Sequence, residues 1–279
     1  MKSIFSQNGI IKPLSEAQIP AGSIEAMYGF GVYETLKVRN GVIYFVKEHV
    51  ERLLHSASCI ELEHPFIAGQ IESFIQSLVN EVGEDSLNIK ILLMGASQKE
   101  DAQLYIFPLA PLFPKRSWYR DGVTLCSYVY ERWMPQAKSL NMLPSYYYYT
   151  HAQSEGHYDA LLVDARGMLR EGTRTNIFVM DGTTIMSPQK EGMLEGVTLM
   201  TLEKLVESSP FNIHFKDIPY TSLSSYDAVF LSSTSTKIMP VREIDGVRIP
   251  ISDELRELIV KYNAALDNSQ GQMGLISYL

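Results

Sequence analysis

Cysteine is scarce in this chain. Its 279 residues hold 2, and they stand far apart as Cys59 and Cys126. A disulfide framework is therefore excluded as the basis of the fold, and both read as buried free thiols. No Cys-x-x-Cys occurs and His49 and His55 do not carry zinc-finger spacing, so no metal site is expected and the histidines read as ordinary surface or core residues. No apolar run approaches the roughly 18 to 20 residues that span a bilayer. The opening MKSIFSQNGIIKPL lacks an apolar stretch and a small-residue cleavage site, so no secretory signal and a cytoplasmic location are expected. Positive charge is also short. Lys plus Arg is 24 against 32 for Asp plus Glu, a net charge of −8. That balance excludes a general nucleic-acid binder and a protein docked on anionic lipid. Gly29-Phe30-Gly31 fails the dinucleotide pattern because Glu34 stands where the third glycine belongs, and there is no Walker loop and no Gly-x-Ser-x-Gly elbow.

What is present is ordinary globular material, 46% hydrophobic and 20% charged, and long enough for two modest domains. The break in composition is PLAPLFPKRSWYRDG, Pro108 to Gly122, with three prolines and a closing Asp-Gly. It predicts a small N-terminal domain over 1–110, a linker over 111–122 and a larger domain over 123–279. In the first part, Gly41-Val42 marks a hairpin, Glu48 to Ser58 carries one apolar helical face, and Ile67 to Val82 repeats apolar residues at three- and four-residue steps. Strands are expected at Ile89 to Met94 and Leu104 to Phe107. In the second part, strands near Val123 to Val129, Ala160 to Val163 and Asn176 to Met180 alternate with helices at Ser145 to Glu155, after Gly196 and around Leu255 to Tyr262. Tyr146 to Tyr149 read as helix packing. The irregular interleaving predicts an α+β fold.

Four separated segments are informative together. They are Tyr28-Gly29-Phe30-Gly31-Val32-Tyr33-Glu34-Thr35 with Glu48-His49-Val50-Glu51-Arg52-Leu53; Lys138-Ser139-Leu140-Asn141; Glu171-Gly172-Thr173-Arg174-Thr175-Asn176-Ile177-Phe178; and Gly196-Val197-Thr198 followed by Ser232-Ser233-Thr234-Ser235. In this order and spacing, from about residue 24 to about 247, the chain resembles the class IV pyridoxal-phosphate enzymes. These include the branched-chain and D-amino-acid aminotransferases and 4-amino-4-deoxychorismate lyase.

The resemblance implies a two-domain fold-type IV enzyme, with a smaller N-terminal α/β domain and a larger domain built on a curved mixed sheet with flanking helices. It implies pyridoxal 5′-phosphate as cofactor, a homodimer and small-molecule substrates. Lys138 matches the lysine that forms a Schiff base with the cofactor and moves the substrate's Cα proton. Glu171 matches the acid beside the pyridine nitrogen. Arg52, Gly196, Val197, Thr198, Thr234 and Ser235 match the phosphate cup, where a helix N-terminus offers free N–H groups. On residue type alone, Arg52 also suits a helix pair with Glu48. Tyr28 and Tyr33 fall where the family turns aromatics to the substrate.

The chain departs from the family at Phe30, Glu195, Leu199 and Lys237. It also has no arginine between Asn88 and Lys99, where the amino-acid aminotransferases place the arginine for the substrate carboxylate. Lys90 or Lys99 is the available substitute, as a point charge without the guanidinium fork. The expected activity is transfer of an amino group between an amino acid and a 2-oxo acid. The alternative is elimination of pyruvate from 4-amino-4-deoxychorismate.

Overall fold

The computed structural model describes residues 2–19 and 22–276. The chain divides into two compact units. The first is residues 1–112 with 136–142, and the second is 113–135 with 143–279. The segment 136–142 was expected in the second domain and instead joins the first. The expected linker is also partly structured, because Arg116–Asp121 is a helix.

The first unit contains β1 (Ile4–Gln7), β2 (Ile10–Pro13), α1 (Ile24–Met27), β3 (Gly31–Arg39), β4 (Val42–Ile43), α2 (Val46–Cys59), α3 (Ala68–Val82), β5 (Leu87–Met94) and β6 (Gln103–Leu109). Its strands form one sheet in the order β2-β1-β6-β5-β3-β4, and every pair is antiparallel. Asn40 and Gly41, both at positive φ, form the two-residue turn between β3 and β4, as the twist of a hairpin favours. Strand alternation separates two faces. Val32, Leu36, Ile89, Ile91 and Leu93 turn toward α2 and α3, where Val50, Leu53, Ile71, Ile75 and Leu78 complete a core. On the other face Phe5, Tyr105 and Phe107 stack, and Leu92, Met94 and Leu140 pack with them.

Segment 136–142 joins this unit for a backbone reason. The short β4 pairs with β3 only at Val38 and Arg39, which leaves the other end of that edge open. Lys138 and Leu140 close it. The Tyr33 N–H donates to the Lys138 carbonyl at 2.9 Å, and the Leu140 N–H donates to the Gly31 carbonyl at 2.8 Å. Buried peptide groups without such partners are costly.

The second unit contains α4 (Arg116–Asp121), β7 (Val123–Val129), α5 (Leu143–Ser154), β8 (Asp159–Val163), β9 (Leu169–Gly172), β10 (Asn176–Asp181), β11 (Thr184–Ser187), α6 (Val197–Val206), β12 (Asn212–Phe215), β13 (Ala228–Ser233), β14 (Lys237–Ile244), β15 (Val247–Arg248) and α7 (Asp253–Ile276). Its sheet runs β12-β11-β10-β13-β14-β7-β8-β9, with β15 beside β14. The pairs β11/β12, β14/β7 and β7/β8 are parallel and the others antiparallel, so the sheet is mixed, as expected. Among the described residues no helix is long and apolar enough to cross a membrane.

Candidate active site

In the first unit the chain places Lys138, Tyr33 and Lys90 together. Lys138 is fixed by its backbone: its carbonyl accepts from Tyr33 and its N–H donates to Ser56 Oγ on α2 at 3.1 Å. Its Nζ lies 4.6 Å from the centre of the Tyr33 ring. Lys90 Nζ lies 3.6 Å from the same centre. The register Thr35↔Lys90 puts Lys90 on the face away from the α2–α3 core, which it shares with Tyr33. Burial lowers the Lys90 pKa and the nearby Lys138 lowers it further, while Tyr33 and Glu34 oppose both.

The opposite face of β3 carries Glu34, fully buried beneath α2. Arg52 forks onto it, with Nε 2.6 Å from Oε1 and Nη2 2.9 Å from Oε2. His49 Nδ1 lies 2.8 Å from Oε2. Burial by itself would raise the Glu34 pKa. The Arg52 guanidinium and the His49 ring outweigh it and hold the carboxyl well below the usual range. His49 is lowered, first by burial, with Glu34 opposing and Arg52 and Lys138 adding to the fall. Glu34 is ionised, so Nδ1 is the donor to its Oε2. Arg52 thus reaches across to the strand at Glu34. His49 is not the ordinary core histidine that the sequence suggests.

In the second unit the segment Glu171 to Asn176 clamps the approach to α6. Glu171 Oε2 accepts from the Leu194 N–H at 3.3 Å, and Asn176 Nδ2 donates to the Leu194 carbonyl at 2.7 Å. The turn between them is tied to buried Asp159, which accepts from the Thr173 and Thr175 hydroxyls. Burial raises the Asp159 pKa, and Arg174 and those hydroxyls oppose it. The clamp leaves Gly196 against Asn176 Oδ1, where a Cβ would collide. Gly196 caps α6 without a side-chain acceptor, so the first-turn N–H groups are left to other acceptors. Val197 and Thr198 are buried, and the Thr198 hydroxyl meets Tyr262, whose pKa burial pushes up to about 12. Thr234 and Ser235 sit in the turn after β13, where Ser233 Oγ meets Ser235 Oγ at 3.3 Å and Thr236 Oγ1 at 2.8 Å.

Glu171 also meets Arg132, whose Nε is 2.5 Å from Oε1 and whose Nη2 donates to the Pro135 carbonyl. Sequence reasoning missed Arg132. The arginine within Tyr130-Glu131-Arg132-Trp133 reaches Glu171 on β9, a partner distant in sequence that no local pattern marks.

Two further expected substrate residues, Tyr28 and Lys99, lie at the ends of short helical segments. Tyr28 ends α1 with 81% of its surface exposed. Lys99 lies in the turn Lys99–Asp101, 3.8 Å from Glu100, and lines an open cavity of about 720 Å³ with Leu54, Ser58 and His64. The Tyr146 to Tyr149 run is only partly packing: Tyr146 and Tyr147 are exposed, Tyr148 stacks on Tyr128, and Tyr149 lies under Arg174.

The family model for class IV amino-transferases matches residues 31–244, most of the chain. The chain belongs to the class IV amino-transferases. This aminotransferase is 28% identical over 261 residues to the D-alanine aminotransferase of Bacillus licheniformis, covering 89% of this chain and 90% of that one. A solved branched-chain aminotransferase from Thermoproteus uzoniensis, with norvaline, superposes with a TM-score of 0.86 at 25% identity, covering 96% of each chain. A hypothetical aminotransferase from Mycobacterium tuberculosis, in its PLP-bound form, shares the fold, with a TM-score of 0.84 at 19% identity over 95% of this chain and 99% of that one.

Proposed function

We propose that this class IV aminotransferase uses pyridoxal 5′-phosphate to move an amino group between an amino acid and a 2-oxo acid, with Lys138 as its catalytic residue. The observation that carries the reading is the placement of Lys138, pinned through its backbone with its amine beside Tyr33 and Lys90. The Mycobacterium tuberculosis protein of the same fold was solved in a PLP-bound form. The donor set here suits such a group. It comprises a lysine, a carboxylate oriented by Arg132, a helix start without a side-chain cap, and a hydroxyl-rich turn. When bound, the cofactor supplies a ring that stabilises negative charge at the substrate's Cα. Lys138 Nζ takes the Cα proton and returns it. Glu171 stabilises a proton on the ring nitrogen, and Arg132 keeps its carboxylate in place. Arg52, Gly196, Val197, Thr198, Thr234 and Ser235 bind the phosphate.

Lys90 meets the substrate carboxylate, in preference to Lys99, and Tyr33 bounds the same space. Lys90→Ala is expected to raise KM far more than it lowers kcat. Loss of one charge-assisted hydrogen bond is worth about 1.5–3 kcal/mol, roughly a 10- to 150-fold fall in kcat/KM. Wild-type KM is expected to rise with pH as Lys90 deprotonates, earlier than for a surface lysine because its pKa is lowered. Steady-state kinetics across pH on both proteins check this, and a KM unchanged by the substitution contradicts it. Glu171→Gln keeps the shape and removes the charge. Proton abstraction is expected to slow by roughly 100-fold, with a smaller loss of cofactor affinity. Equal single-turnover rates in the two proteins would place the nitrogen's partner elsewhere.

A substrate panel with product detection tests the reaction itself. Amino-group transfer to a 2-oxo acid supports the proposal. Stoichiometric pyruvate release from 4-amino-4-deoxychorismate, without transfer, supports the lyase in its place. The names of the relatives favour transfer. A cytoplasmic homodimer completes the reading. Exposed Ile24, Met27 and Tyr28 are apolar surface that a second copy can cover, and the mass in solution measures it.

A further inference from the structure

We propose that Cys126, Glu155 and His157 form a site for one divalent transition metal of the zinc type, separate from the residues assigned to the cofactor. The three residues are distant in sequence or divided by a turn, and the fold of the second unit assembles them. On β7, Val123 and Leu125 point into the main core, while Cys126 points to the other side and packs with Ala152 of α5 and Ala160 of β8. Helix α5 stops at Ser154, and Gly156 at φ 85° turns the chain back. That reversal sets Glu155 and His157 over the end of β7. One ligand atom from each of Cys126, Glu155 and His157 lies within 4.8 Å of the other two.

The loop that carries His157 is held rather than loose. The His157 N–H donates to the Ala152 carbonyl at 2.9 Å, and the Tyr158 N–H donates to the Thr124 carbonyl at 2.8 Å. Gln153 Nε2 donates to the carbonyls of His157 at 2.8 Å and Tyr158 at 2.7 Å. His157 Nδ1 lies 3.2 Å from Thr124 Oγ1. When Nδ1–H donates to that hydroxyl, Nε2 presents its lone pair, the arrangement by which an outer partner orients a metal-binding imidazole.

Charge and donor type point to the same occupant. Among the described residues no cationic side chain pairs with the Glu155 carboxylate. A divalent cation supplies the missing positive charge and exchanges for the thiol proton. Sulfur, imidazole nitrogen and carboxylate oxygen together are a zinc donor set, with water at a fourth position; thiolate disfavours magnesium and calcium. The bound metal would tie β7 to the end of α5, the helix whose Tyr148 stacks on Tyr128 at 4.6 Å.

Cobalt(II) titration of the chelator-stripped holoenzyme tests this. One equivalent is expected to produce a thiolate-to-cobalt charge-transfer band that added zinc abolishes. Cys126→Ser is expected to lose the band. Cys59→Ala is expected to keep it, which separates this site from the Cys59–His55 pair on α2, whose Sγ and Nε2 are 3.5 Å apart. Thr124→Val is expected to weaken cobalt binding by roughly 10- to 100-fold, and His157→Ala by more. Absence of a band in the wild type overturns the proposal, as does a band that survives Cys126→Ser or disappears in Cys59→Ala. If Cys126→Ser does not fold, His157→Ala decides: unchanged cobalt affinity there also overturns it.

Discussion

Lys138→Ala is expected to reduce turnover by at least about 100- to 10,000-fold, the usual worth of a positioned proton carrier. The structure makes this substitution clean. The contacts that place residue 138 use its backbone N–H and carbonyl, with Ser56 and Tyr33, and alanine keeps both. What is lost is the amine beside Tyr33. Single-turnover kinetics with an amino donor, together with denaturant unfolding of both proteins, separate the loss of the amine from any loss of fold. Turnover within a few-fold of wild type contradicts the assignment.

The second large effect is expected from Glu34→Gln. Glu34 is a fully buried carboxylate held by the Arg52 fork and the His49 ring. Removing the charge from a buried pair leaves the other partner uncompensated, at a cost of about 3–5 kcal/mol. The pH dependence has a definite sign. The folded pKa of Glu34 lies below its unfolded value, near about 4.3 for a free glutamate. Its contribution is therefore complete above that value and is lost as pH falls toward the folded pKa. Denaturation of wild type and variant should differ most near neutral pH and converge in acid. The variant should also bind the cofactor more weakly, because Arg52 loses its orienting partner. If Glu34 acts through Arg52, Glu34→Gln and Arg52→Ala should not add in cofactor affinity. Additive losses, or equal stability at neutral pH, contradict this account.

The contrast between Lys138 and Glu34 shows what the sequence made legible. Lys138 stands in a contiguous run, Lys-Ser-Leu-Asn, and Glu171 opens another, so local order identifies them. The helices over 46–59 and 68–82 were visible because their apolar residues repeat with the helical period. Glu34 is adjacent to Tyr33 in sequence but lies on the other face of β3, and its partners come from a helix packed across the sheet. No local pattern encodes that meeting. Arg132 was silent for the same reason. Lys90 needed the strand register, since a slip of one residue would have turned it into the core; the pairing Thr35↔Lys90 removes that ambiguity. The strand pattern did not place Lys99, because the strand ends at Met94 and a turn carries the lysine to Glu100. The domain boundary was misplaced at 136–142 because that segment is recruited by backbone groups on the open edge of β3, a demand that belongs to another part of the chain. The first unit's main segment runs to residue 112, inside the proline-rich stretch, and α4 forms within the expected linker.

The central claim is that Lys138 is the lysine that holds the cofactor. Borohydride reduction of the cofactor-loaded protein, followed by peptide mapping, tests it most directly. The account predicts a pyridoxyl mass on the peptide containing Lys138 and none on the peptide containing Lys90, its neighbour across the Tyr33 ring. A pyridoxyl group on Lys90 or any other lysine, with Lys138 unmodified, would contradict it.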